Sequence, residues 1–192
     1  MGGRRMVSCR RLSCRSPSGH CATRRETSPS APNAAAWGTL LFDIREDDLT
    51  GEAPRALLTR HLAGMHSNSP PGHVFALDLS GLDAPNVTVW SVWDGSALAG
   101  IGALKTLGDD TGELKSMRTD PHYLRKGVGA ALLEHIIATA RGRGLLRLSL
   151  ETGSGPAFDP ALAMYRKRGF VDGEAFADYQ RSDFNQFLHL SL

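Results

Sequence analysis

Residues 124–130, with the sequence LRKGVGA, have the composition of an anion-binding loop. Gly127 and Gly129 carry no Cβ atom that would keep an anion away from the backbone. A helix is predicted to begin directly after the first of these glycines, and the dipole of a helix is positive at that end. Arg125 and Lys126 add fixed positive charge. The segment therefore predicts binding of a diphosphate group.

The first-turn amides expected to bind that group belong to Val128, Gly129 and Ala130, because they have no intrahelical partners. Two better-known phosphate loops do not fit. A Walker loop needs Gly-Lys-Ser/Thr at its end, and a dinucleotide fingerprint needs a third glycine where Leu132 stands. A simpler interpretation stays open, in which the two glycines only begin a packed helix.

The helix that must position this loop is predicted over 128–142. Its apolar residues recur at helical spacing and form one continuous stripe, whereas Glu134, Thr139 and Arg141 point elsewhere. The stripe consists of Val128, Leu132, Leu133, Ile136, Ile137 and Ala140.

A second helix is predicted over 160–168, with Asp159 as N-cap, Pro160 at its first position and Gly169 just past its end. Three large side chains recur along one side of it, at i, i+4 and i+7. They are Phe158, Leu162 and Tyr165.

The remaining elements alternate along the chain and predict an α/β (α+β) fold. Apolar periodicity predicts a helix over 52–65 and strands over 40–44, 87–93, 98–107, 113–119 and 145–151, with short strands near 170 and over 187–190. Asp94-Gly95 predicts a hairpin. A meander followed by strand–helix–strand–helix predicts a mixed, mostly antiparallel central sheet flanked by helices.

Composition divides the 192 residues into a basic start and a mildly acidic body. Residues 1–36 contain seven Arg and one acidic residue, whereas the rest of the chain contains 15 basic and 19 acidic residues. We predict a disordered tail over 1–36 and one folded domain over 37–192. The tail resembles a transit peptide, but a non-functional extension from a start assigned too early, or a nucleic-acid-binding arm, is also considered.

All three cysteines, Cys9, Cys14 and Cys21, lie in the basic start. A disulfide-stapled fold and catalysis by a cysteine of the body are therefore excluded. The cysteines and His20 match no zinc spacing, so no metal is expected. No stretch reaches the roughly 20 apolar residues of a membrane span, and the acidic body argues against nucleic-acid binding. We expect a cytoplasmic protein.

Residues 40–192 resemble the GNAT N-acetyltransferase superfamily in the order of their elements, and the motifs of the resemblance lie in 113–170. Gly127 and Gly129 match its Arg/Gln-x-x-Gly-x-Gly/Ala loop, and 165–170 match its Tyr-x-x-x-Gly-Phe signature. Leu124 departs from the Arg/Gln position, and Phe158 stands where many members have Asn. Residues 112–169 also resemble a bacterial subgroup of poorly defined substrate, represented by proteins linked to indole-acetate metabolism.

The resemblance implies direct transfer of acetyl from acetyl-CoA to an amine, which suits a body without cysteine. Tyr165 matches the tyrosine that often protonates the CoA sulfur; a packed core tyrosine is the alternative. Backbone amides at about Met117, Arg118 and Thr119 would bind the thioester oxygen and the pantetheine arm. With the 124–130 loop, these residues and Phe158 are the expected CoA contacts.

Two carboxylates are candidates for the catalytic base. Glu113 and Glu151 could each take the proton of the amine through water, and Glu113 could equally pair with Lys115. Arg118 and Lys105 are candidates for holding a substrate carboxylate. The other acceptor-side candidates are His61, His66, Ser67, Ser69, His73, Asp178, Tyr179 and Arg181.

The expected acceptor is a small-molecule amine. Two other functions stay open: acetylation of protein α-amines or lysines, and a CoA-binding sensor without turnover. A homodimer is also considered.

Deleting residues 1–36 is expected to leave the melting temperature and the acetyl-transfer rate unchanged, because this segment buries too little apolar surface to order itself. Thermal unfolding and thiol release measure both. A loss of either would mean that the segment docks on the domain.

Overall fold

The computed structural model describes residues 42–108 and 110–192; the predicted tail over 1–36 lies outside this range. Seven strands and four helices follow one another, with a 3-10 turn at Pro121–Tyr123. In chain order they are β1 (Asp43–Glu46), α1 (Glu52–Asn68), α2 (Leu79–Leu82), β2 (Val87–Asp94), β3 (Ala97–Thr106), β4 (Thr111–Thr119), α3 (Val128–Gly142), β5 (Arg147–Gly153), α4 (Asp159–Lys167), β6 (Val171–Asp172) and β7 (Asn185–Ser191).

All seven strands belong to one sheet, in the order β1-β2-β3-β4-β5-β7-β6. Every neighbouring pair is antiparallel except β4 and β5, which run parallel. The predicted mixed, mostly antiparallel sheet with flanking helices is therefore confirmed. No helix of the described ranges is long and apolar enough to cross a bilayer.

Two apolar clusters hold the helices against the sheet. One joins α1 and α2 to β2 and β3 through Leu57, Leu82 and Ile101. The other joins α3 and α4 to the strands through residues such as Leu132, Ile136 and Leu162. Burying apolar side chains of this size contributes about 1.5–3 kcal/mol each, so both clusters stabilise the positions of the helices.

The α3 helix has the bounds and the buried face that its sequence predicts. Its buried residues are Val128, Leu132, Leu133, Ile136, Ile137 and Ala140, the six residues of the apolar stripe. The loop before it does not join β4 directly to α3, as its place between the predicted strand 113–119 and the predicted helix suggests. A 3-10 turn lies between the end of β4 and Gly127.

The start of α4 also differs from the prediction. Asp159 is the first helical residue rather than the N-cap, a position taken by Phe158 without any side-chain cap hydrogen bond. The predicted end is confirmed, because Gly169 follows the helix with φ +88° and the Phe170 amide donates to the Tyr165 carbonyl at 3.3 Å.

Two features of β4 open the sheet at its centre. First, β4 and β5 pair only as far as Glu113 and Ser149, although β5 continues to Gly153. Second, β4 contains a β-bulge, because two of its residues, Ser116 and Met117, lie opposite one residue of β3. Ser116 has φ +52° at this bulge. The strands therefore separate beyond Glu113, and the gap between them is where the site lies.

Candidate active site

A cavity of about 530 Å³ lies at the start of α3, and we call it the loop cavity. Its wall combines the glycine loop, the end of β4 and one side of α4. The residues that line it are Met117, Arg118, Thr119, Pro121, Tyr123, Leu124, Arg125, Gly127, Val128, Gly129, Ala130, Leu132, Ala157, Pro160, Ala161, Met164 and Tyr165.

Gly127 is the N-cap of α3, and its backbone requires glycine. Its φ of +89° lies in the left-handed region, and the helix start has no side-chain cap hydrogen bond. A Cβ atom built on Gly127 would meet nothing within 4 Å, so this position faces open space. The first-turn amides of α3 therefore begin at an uncapped, side-chain-free position.

Gly129 fits closely against two neighbouring elements. A Cβ atom there would lie 3.3 Å from the sulfur of Met164 and 3.4 Å from the hydroxyl of Thr119. Even alanine would press on the wall of the cavity at this point. The two glycines thus have different roles. Gly127 allows the turn before α3, and Gly129 allows α3 to approach α4 and β4.

The charged residues of the loop are exposed, as an anion site needs. Arg125 lines the loop cavity with φ +61°, while the ammonium of Lys126 lies 5.1 Å from the ring centre of Tyr123. Leu124, at the position that departs from the family pattern, is exposed and offers no charge. A diphosphate fits this site through backbone amides and Arg125.

A smaller cavity of about 170 Å³ lies deeper, between α1, β4, β5 and α4, and we call it the inner cavity. Phe158 lines this cavity and not the loop cavity, which differs from its expected place among the CoA contacts. Five residues line both cavities and mark where they meet: Met117, Arg118, Ala157, Ala161 and Tyr165.

Tyr165 stands at this junction. Its ring is buried against Phe170, with 5.7 Å between ring centres. Burial alone raises the pKa of its hydroxyl, and no hydrogen bond to another described residue contributes. The hydroxyl is therefore a neutral donor at neutral pH, on a residue that lines both cavities.

Glu151 lines the inner cavity from β5, just beyond the last residue pair of β4 and β5. Burial raises the pKa of Glu151 to about 7; Lys115 opposes this shift and Glu113 adds to it. A carboxylate with this pKa is balanced between its two protonation states near neutral pH, which suits a general base.

Glu113 is engaged elsewhere. Its carboxylate accepts hydrogen bonds from the Lys115 ammonium at 3.1 Å and from the Tyr179 hydroxyl at 2.5 Å. Lys115 also donates to Tyr179 and to the Phe75 carbonyl. The predicted pairing of Glu113 with Lys115 is confirmed, and Glu113 is not part of the inner cavity wall.

Of the acceptor-side candidates, His61 and Arg118 line the inner cavity. His61 completes the buried face of α1 with Pro54, Leu57 and Leu58, a position that its polar character hides in the sequence. Lys105, His66, Ser67, Ser69, His73, Asp178, Tyr179 and Arg181 are outside this wall as the described residues form it.

A larger surface cavity of about 840 Å³ lies between β1, β2 and the start of α1. Its wall contains none of the glycine-loop residues, Glu151 or Tyr165. Volume alone therefore does not identify the site, whereas the meeting of the loop and inner cavities at reactive side chains does.

The model of the Acetyltransferase (GNAT) family matches residues 40–170, more than two thirds of the chain. The chain belongs to the GNAT family. The N-acetyltransferase YedL of Escherichia coli is 52% identical over 79% of this chain and 96% of its own length. YsnE of Bacillus subtilis, also named an N-acetyltransferase, is 48% identical over 78% of this chain and 99% of its own.

Solved structures agree on the fold. An acyl-CoA N-acyltransferase from Klebsiella pneumoniae superposes with a TM-score of 0.68 and 27% identity, over 79% of this chain and 98% of its own. A Bacillus subtilis acetyltransferase in complex with CoA has a TM-score of 0.56 and 19% identity, over 79% and 99%. This GNAT protein is thus an acetyl-CoA-dependent acyltransferase with the family's sheet and helices.

Proposed function

We propose that this GNAT enzyme transfers acetyl from acetyl-CoA directly to the primary amine of a small molecule held in the inner cavity. The single observation that carries the proposal is the junction of the two cavities at Tyr165, with Glu151 on the far wall. A donor in the loop cavity and an acceptor in the inner cavity would meet there.

The loop cavity would hold CoA through its diphosphate and its pantetheine arm. The amides of Val128, Gly129 and Ala130 would donate hydrogen bonds to the phosphates, because a helix start without a side-chain cap leaves these amides unpaired. Along the arm, the edge of β4 from Met117 to Thr119 no longer pairs with β5. Its main chain can therefore hydrogen-bond an extended ligand as a further strand would.

Glu151 is the proposed general base. It lines the inner cavity, and its pKa near 7 allows it to take a proton from the acceptor's ammonium. Glu113 is less suited, because Lys115 and Tyr179 already occupy its carboxylate. We propose that Glu113 instead positions Lys115 and adds negative charge beside Glu151.

Tyr165 is the proposed general acid. Bound acetyl-CoA supplies the acetyl group and a thiolate that must be protonated as it leaves. Tyr165 keeps its proton at neutral pH and makes no hydrogen bond within the described ranges, so its hydroxyl is free to donate that proton. Backbone amides of the β4 bulge, around Met117, would donate hydrogen bonds to the carbonyl oxygen and stabilise the negative charge that develops on it.

Thiol release from acetyl-CoA, measured across a panel of small primary amines, peptides with free α-amines and lysine-containing peptides, tests this function. We expect release with small amines. Release with peptides alone would favour protein acetylation, and tight CoA binding without release for any acceptor would indicate a sensor. The small volume of the inner cavity, about 170 Å³, favours the small amine.

Replacing Glu151→Gln is expected to lower kcat/KM by roughly 100-fold or more, since general base catalysis typically contributes 10²–10⁴-fold. For the wild type, kcat/KM should fall as pH decreases through about 7, because protonation disables the base. In Glu151→Gln this acidic limb should vanish. An unchanged limb near pH 7 would assign it to another group.

The same substitution is expected to stabilise the fold at pH 8. The folded state holds the Glu151 proton up to about pH 7, whereas the unfolded chain loses it near the ordinary glutamate pKa of 4.5, so stability decreases as pH rises between these values. Glutamine removes this cost, and the free energy of unfolding should rise by about 1–3 kcal/mol. Urea unfolding at pH 8 and pH 5 measures it, and equal effects at both would contradict the assignment.

Two further predictions belong to this proposal. The enzyme is proposed to act in the cytoplasm, where acetyl-CoA is supplied, and a homodimer stays a prediction that sedimentation would check.

A further inference from the structure

We propose that the acceptor is an amino acid or a closely similar molecule, with a carboxylate that Arg118, Ser116 and His61 bind while the amine lies toward Glu151. This inference rests on the proposed function, because it names the substrate class of the same inner cavity. It is carried by an unmatched positive charge and by buried polar atoms without partners.

Arg118 carries the unmatched charge. Its Nε is buried and has no hydrogen-bond partner within 42–108 and 110–192. Its guanidinium reaches α1, where a Cβ built on Gly64 would lie 3.8 Å from one terminal nitrogen. The carboxylates of β4 and of the residue that follows it are already paired: Asp120 with Arg60 and His122, and Glu113 with Lys115. Arg118 is half-buried and lines the cavity, so the carboxylate of a ligand can pair with its guanidinium.

Lys115 is the other cation of the inner cavity wall, and it has no capacity left. Its ammonium has three protons and already donates to the Phe75 carbonyl, Glu113 and Tyr179. An anion entering the cavity would therefore be bound by Arg118 rather than by Lys115.

Two further polar groups of the same wall have no partner among the described residues. These are the Ser116 hydroxyl and Nδ1 of His61, both buried, and each residue is only 8% exposed. Burial and the charges of Arg118 and Lys115 lower the pKa of His61 to about 4, so its ring is neutral at pH 7. With Nδ1 protonated in the neutral His61 ring, Arg118, Ser116 and His61 offer three donor groups for the oxygens of one carboxylate.

The backbone at Ser116 favours a functional explanation. A serine at φ +52° within a strand adopts a conformation that is costly for any residue other than glycine. The bulge that requires this conformation brings Ser116 into the wall of the inner cavity. Strain of this kind persists where the surrounding structure enforces it, typically at ligand sites.

Arg118 and Glu151 lie on different strands, β4 and β5, across the gap that forms the cavity. An acceptor with a carboxylate on Arg118 can therefore extend its amine toward Glu151. A carboxylate and an amine separated by one or a few carbons fit a cavity of about 170 Å³, which is far below the roughly 300–1,000 Å³ typical of drug-sized ligands.

The test uses matched acceptors: each of the common L-amino acids, its carboxamide, and the amine that lacks the carboxylate. With wild-type enzyme and acetyl-CoA, we expect kcat/KM for the preferred acid to exceed that for its amide by roughly 100-fold, since a site built to bind a charged group rejects analogues that leave it unpaired.

Arg118→Gln is expected to raise KM for the preferred acid by roughly 10- to 100-fold and to remove its advantage over the amide. CoA affinity, measured by calorimetry, should change far less, because the predicted CoA contact of Arg118 is through its main chain. Arg141→Gln is the matched control, since it removes an equal charge from the exposed end of α3 and should keep the preference.

Ser116→Gly provides a second variant that cannot fail through backbone strain, because glycine adopts φ +52° freely. It removes the hydroxymethyl group and with it the proposed donor, and KM for the acid should rise by roughly 3- to 10-fold. An unchanged KM in both Ser116→Gly and Arg118→Gln would overturn the proposed binding site.

A binding measurement separates this inference from the proposed function. N-acetyl amino acids, the expected products, should bind the enzyme in the presence of CoA and raise its melting temperature, whereas N-acetyl amides should not. Equal turnover of acids and amides would overturn the carboxylate and leave acetyl transfer intact. No turnover of any acid, amide or amine in the panel, with CoA still bound, would overturn both.

Discussion

Gly127→Asp is expected to abolish CoA binding at micromolar concentrations, weakening it by roughly 100-fold or more. The new carboxylate would stand at the start of α3, where the diphosphate is proposed to bind, and like charges about 4 Å apart repel by about 4 kcal/mol near a protein surface. Space is not the obstacle, because a Cβ at this position meets nothing within 4 Å. Calorimetric titration of CoA measures the loss directly.

Backbone strain must be separated from this repulsion. Gly127 has φ +89°, so any side chain there also costs about 1–2 kcal/mol of stability. Gly144, just past the other end of α3, provides the control, with φ +76° and equally open space. Gly144→Asp carries the same strain and the same charge at the end of the helix remote from the loop cavity.

We therefore expect a loss of CoA binding in Gly127→Asp alone, and the lower melting temperature in Gly144→Asp, because its carboxylate lies at the negative end of the helix dipole. Full CoA affinity in Gly127→Asp would contradict the proposed phosphate site. Equal losses in both variants would assign the effect to folding of α3.

Local patterns account for what the sequence could predict. The apolar stripe of α3 recurs every three to four residues, and its six members are the six buried residues of the helix. The Asp94-Gly95 turn joins β2 to β3 as predicted, with Gly95 at φ +59°. In both cases the residues that decide the structure are close together in the chain.

Interactions between distant residues account for what it could not. The hydrogen bonds of Lys115 to Phe75 and Tyr179 span 40 and 64 residues, and that of Glu113 to Tyr179 spans 66. No local pattern indicates that these groups meet. For this reason the sequence left Glu113 and Glu151 as equal candidates, whereas the occupied carboxylate of Glu113 now favours Glu151.

The bulge at Ser116 is a further feature without a sequence signal. Serine is uncommon at positive φ, and nothing in the alternation of 113–119 indicates that one more residue is inserted opposite β3. Similarly, the sequence does not indicate that His61 belongs to the buried face of α1, where it lines the inner cavity. Helix periodicity favours apolar residues for such faces, so a buried histidine is missed.

Tyr165→Phe is expected to lower the rate of acetyl transfer by roughly 100-fold, in the range of general acid catalysis, while CoA affinity changes by about twofold or less. Phenylalanine keeps the ring that contacts Phe170 and removes only the hydroxyl that faces the cavities. Single-turnover measurements are needed, because product release can limit kcat and conceal a slower chemical step.

The pH profile separates the acid from the base. Burial raises the pKa of Tyr165, so its hydroxyl stays protonated across neutral pH and contributes no limb there. Tyr165→Phe should therefore lower the plateau of the profile and keep the acidic limb near pH 7, whereas Glu151→Gln should remove that limb. If Tyr165→Phe instead lowered CoA affinity and rate equally, the ring would serve packing, and protonation of the leaving thiolate would fall to water or another group.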